Sequence, residues 1–100
     1  MSKHTIVDVL HMAGHLLADE RRHHSRWFAA DERGRSVSSE SSAACRWCYW
    51  GAVFASSTAL GVPWFGSDSM PDGLDILPRE WDLATPTERL EMARKLREAT

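Results

Sequence analysis

The segment between residues 61 and 78 limits this chain more than any other. Three of its six glycines and three of its four prolines lie there: Gly61, Pro63, Gly66, Pro71, Gly73 and Pro78. Proline removes a backbone donor and fixes φ, while glycine leaves the backbone loose, so no long helix or strand can cross residues 61–84. A long loop with one short helical turn is expected, and the flanks must carry the regular structure. With 100 residues in all, a second core would leave each part too small to bury enough apolar surface. One domain over residues 1–100 follows, and a content of 43% apolar and 26% charged residues suits a chain that folds alone.

On the N-terminal flank, Thr5 followed three residues later by Asp8 has the form of a helix cap, and Ile6, Val9, Leu10, Ala13, Leu16 and Leu17 recur at helical spacing. This predicts a helix from about 5 to 20, with His4, Asp8, His11, His15 and Asp19 on the arc away from the apolar one. The polar run from Arg21 to Arg26 breaks that period. Asp31-Glu32-Arg33-Gly34 is a turn signal, and it predicts a short hairpin of roughly 26–30 and 35–38, with Gly34 supplying a positive φ. The serines of 38–42 offer caps for a second helix, about 42–60, apolar on nearly every face and so expected at the centre of the domain. Its small arc holds Cys45, Cys48, Ala52, Ala55, Ser56 and Ala59, and its bulky arc Trp47, Trp50, Phe54 and Thr58. Beyond the loop, Thr85-Pro86-Thr87-Glu88 places an N-cap, a proline in the first turn and a capping-box glutamate in register. The final helix should run to about residue 99 with Leu90, Ala93 and Leu96 inward. The fold class expected is α+β: helix, β-hairpin, buried central helix, long loop, C-terminal helix.

Trp27, Ala30-Asp31, Gly34 and Val37, then Ala44, Trp47-Cys48 and Gly51-Ala52, form a pattern that resembles an uncharacterised family of small actinobacterial and phage-borne proteins. The family's pattern is a Trp-led hairpin, a Trp-Cys-x-x-Gly-Ala helix, a Trp-Asn-Asp-like element and a Thr-led final helix. Here the last part reads Trp81-Asp82-Leu83-Ala84-Thr85, with Asp82 where the family usually has Asn. The resemblance implies a fold and a phage or prophage setting, and no activity.

Several functional classes are disfavoured. A net charge of −2 lacks the excess of Lys and Arg that phosphate neutralisation needs, so direct nucleic-acid binding is not expected. No apolar run approaches the roughly 18 residues that span a bilayer, and the N-terminus lacks the pattern of a secretory signal. A cytoplasmic protein is expected, and two cysteines three positions apart fit a reducing compartment. There is no nucleophile elbow, phosphate-binding glycine loop or metalloprotease helix, so no catalytic residues are assigned and no cofactor is expected.

Two constellations remain. Cys45-x-x-Cys48 has the spacing of half a zinc site, and His11 with His15 has the i, i+4 spacing of the other half. The same thiols could form a redox pair, yet nothing around them resembles a strand-turn-helix redox arrangement. The plainer reading is that both pack as small hydrophobes. The second constellation is the loop, which mixes Asp68, Asp72, Asp75, Glu80 and Asp82 with Trp64, Phe65, Met70, Leu74, Ile76, Leu77 and Trp81. It is either a lid folded over the core or a contact surface. The functional expectation is a non-enzymatic protein-binding module, with Trp64, Phe65, Asp68, Met70, Asp72 and Asp75 meeting a protein partner through a basic, nucleic-acid-binding surface. With the phage setting that the resemblance implies, inhibition of a host defence complex, as by anti-CRISPR proteins, is its concrete form. The alternative is a small zinc-binding or thiol redox domain on Cys45, Cys48, His11 and His15.

Overall fold

The computed structural model describes residues 4–19, 28–39, 41–63, 70–71, 73–76 and 78–99. Among them four helices and three short strands run in the order α1 (Ile6–Leu16), β1 (Ala29–Ala30), β2 (Ser36–Val37), β3 (Arg46–Trp47), α2 (Tyr49–Leu60), α3 (Pro78–Leu83) and α4 (Pro86–Arg97). This is a mixed α+β arrangement. The strands form one antiparallel sheet in the order β2-β1-β3, with Ala29 opposite Val37 and Trp47, and Ala30 opposite Ser36 and Arg46.

Local chemistry accounts for the ends of these elements. Thr5 Oγ1 accepts the Asp8 N–H while the Asp8 carboxylate accepts the Thr5 N–H at 2.9 Å, a reciprocal capping box on α1. Thr85 and Glu88 repeat the device on α4. Gly34, at φ +79°, turns the hairpin, and Gly61, at φ +68°, ends α2 in the left-handed conformation that glycine takes without steric penalty.

The second helix is shorter than its apolar run suggests. Instead of beginning near residue 42, α2 begins at Tyr49 with Cys48 as N-cap, and residues 46–47 pair with β1 as a third strand. The reason is tertiary: the free edge of β1 takes up the N–H of Cys45 through the Ala30 carbonyl at 2.9 Å and that of Cys48 through the Phe28 carbonyl. Backbone groups that a helix would have paired internally are paired across the sheet instead. This junction is tight, since a Cβ at Gly51 would overlap the Phe28 carbonyl.

α2 is nonetheless buried along much of its length, as its apolar sequence predicts. α1 packs against both α2 and α4, so the final helix reaches the core mainly through α1. Val9, Leu10, Ala13 and Leu17 are buried there with Tyr49, Trp50, Ala52 and Val53 of α2 and Ala93 and Leu96 of α4. Gly14 permits the α1–α4 approach, because a Cβ there would lie 2.7 Å from the Ala93 carbonyl oxygen. On α4, Leu90 is 39% exposed rather than inward, and Arg89 is buried in its place.

Candidate functional site

The structure separates the residues of the proposed metal or redox centre. Cys45 and Cys48 flank β3 as free thiols, the first half-buried and the second buried. Cys48 is buried, and its Sγ accepts the Gly51 N–H at 3.3 Å as the cap of α2. Burial pushes the Cys48 thiol up, against the downward pull of the Gly51 and Trp50 N–H groups. Cys45 is half-buried and free. His11 Nε2 donates to the Ala99 carbonyl at 2.7 Å, tying α1 to the end of α4, and His15 is exposed. Among the described residues no group of three or more His, Cys, Asp and Glu side chains is placed to hold a metal ion.

The hairpin turn is organised by Asp31. One carboxylate oxygen accepts the N–H groups of Arg33 (2.9 Å) and Arg35 (3.0 Å), and the other accepts Arg35 Nε at 3.1 Å. The Arg35 N–H, above all, holds this carboxyl below the usual range even though burial opposes it. Beside it a groove of about 430 Å³ is lined by Asp31, Glu32, Arg33, Arg35, Ser42 and Cys45, among others. Its two cations face two carboxylates, so its charge favours no ligand class.

The described part of the long loop folds back as a strap. Met70, Leu74 and Ile76 are buried in the core. The Tyr49 hydroxyl donates to the Leu74 carbonyl at 2.5 Å, and Trp50 Nε1 donates to the Ile76 carbonyl at 2.6 Å. Burial, with the charge of Asp75 adding to it, pushes the Tyr49 hydroxyl up, so it stays a donor.

α3 follows the strap and stands on Trp81, which is 1% exposed. The Trp81 ring lies 5.9 Å from that of Tyr49, and the Arg89 guanidinium sits 6.0 Å from its centroid. Arg89 Nη1 also donates to the Ala84 carbonyl at 2.5 Å, and the Ala84 N–H donates to the Trp81 carbonyl. Leu83 stands out from this well-tethered turn at 73% exposure, between exposed Glu80 and Asp82 and the cap of α4.

Of the proposed contact residues, Met70 is a core residue and is not available to a partner, because it is buried in the main apolar cluster. Asp75 is exposed. Trp64, Phe65, Asp68 and Asp72 lie outside the described residues, as do Trp27 and the polar run 21–26. Sequence reasoning missed Leu83. Its signal was there, because a residue two places beyond a buried Trp81 points roughly 200° away on a helix and must face solvent. No helix among the described residues is long and apolar enough to cross a membrane. No protein-family model, curated protein or solved structure matches this chain.

Proposed function

We propose that this chain is a non-enzymatic protein-binding module that acts by occupying a surface of its partner. The observation that carries this reading is Leu83, 73% exposed on a turn whose backbone is held from beneath by Trp81 and Arg89. An apolar side chain on a preordered support meets a partner without the ordering cost of a loose loop. Exposed Glu80 and Asp82 on the same helix, with Asp75 on the strap leading to it, suit a basic partner surface with an apolar recess. The resemblance to phage-borne proteins makes a host defence complex, inhibited through its nucleic-acid-binding surface in the manner of anti-CRISPR proteins, the fitting partner. The chain's own net charge of −2 suits that role rather than direct binding to nucleic acid.

The test is capture from an extract of the native host on immobilised protein, identification by mass spectrometry, and titration of the purified partner. Leu83→Asp is expected to weaken binding by about 2 kcal/mol, roughly thirtyfold, with an unchanged melting temperature. Glu80→Gln with Asp82→Asn is expected to slow association and flatten its salt dependence. Undiminished binding by Leu83→Asp would move the surface elsewhere, and the absence of any specific partner would overturn the reading.

A further inference from the structure

We draw no further inference here: the strongest candidate, the groove beside the hairpin turn lined by Asp31, Glu32, Arg33, Arg35, Ser42 and Cys45, carries nothing, because its two arginines are balanced by two carboxylates, its thiol is a lone cysteine, and nothing in the structure shows what would fill it.

Discussion

The Cys48 thiol accepts an N–H at the start of α2 while lying almost wholly out of solvent, whereas the Cys45 thiol, three residues earlier, is half-exposed in a groove. Thiolates do the alkylation chemistry, and a buried thiol pushed up in pKa reacts slowly whatever its motif. Native protein treated with an alkylating reagent at mildly alkaline pH should therefore carry one adduct, at Cys45, and a second only after denaturant is added. Two adducts on the native protein, read by intact mass and peptide mapping, would show that the cap of α2 opens freely. The carboxylates give a second expectation. Asp8, Asp31 and Glu88 are each held below the usual range, first of all by a backbone N–H, from Thr5, Arg35 and Thr85 respectively. A folded-state pKa below the unfolded one contributes stability that is present above the unfolded value, and is lost as pH falls through the folded value. Urea midpoints should thus hold steady above about pH 5 and fall below about pH 4. Asp31→Asn should make that fall shallower, and an unchanged slope would mean that the turn does not bind its carboxylate in solution.

The strap, residues 70–71 and 73–76, is joined to α2 by two side chains at the start of that helix, Tyr49 and Trp50. Removing the hydroxyl in Tyr49→Phe leaves the buried Leu74 carbonyl without its donor, at a cost of about 1 kcal/mol. Faster amide exchange confined to residues 73–76 is the expected signature, whereas uniform acceleration would mean that strap and core open together. The helices show what was legible in the sequence. Both capping boxes, Thr5 with Asp8 and Thr85 with Glu88, were visible because a cap is made by residues three apart. The strand at Arg46–Trp47 was not, because its partner Ala29–Ala30 lies some seventeen residues away and the intervening apolar pattern also fits a helix. Leu90 failed for a related reason. Spacing alone cannot tell it from Arg89, whose burial depends on Trp81 offering a ring face and Ala84 a carbonyl. The same limit applies to Met70, whose burial is a matter of tertiary packing and not of its neighbours in sequence.

Across the whole molecule, α2 is the buried helix that its apolar sequence predicts, and α1 packs against both it and α4. Composition identified the core residues, but the seam between α1 and α4 depends on the close approach at Gly14, and one glycine in a helix does not announce what it faces. That placement also has a kinetic consequence. The Arg97 guanidinium reaches the Gly14 carbonyl across 83 residues of sequence, and the His11 ring reaches the Ala99 carbonyl across 88. Contacts so distant along the chain reward folding only after a long loop has closed. The α1–α4 seam is therefore expected to close late, after the rate-limiting barrier. Arg97→Ala should then speed unfolding several-fold in stopped-flow denaturant jumps while hardly moving the refolding limb. Slower refolding would instead place the seam in the nucleus. If the seam closes late, it is also the first to part, and the lifetime of the folded molecule is set where its two most distant helices meet.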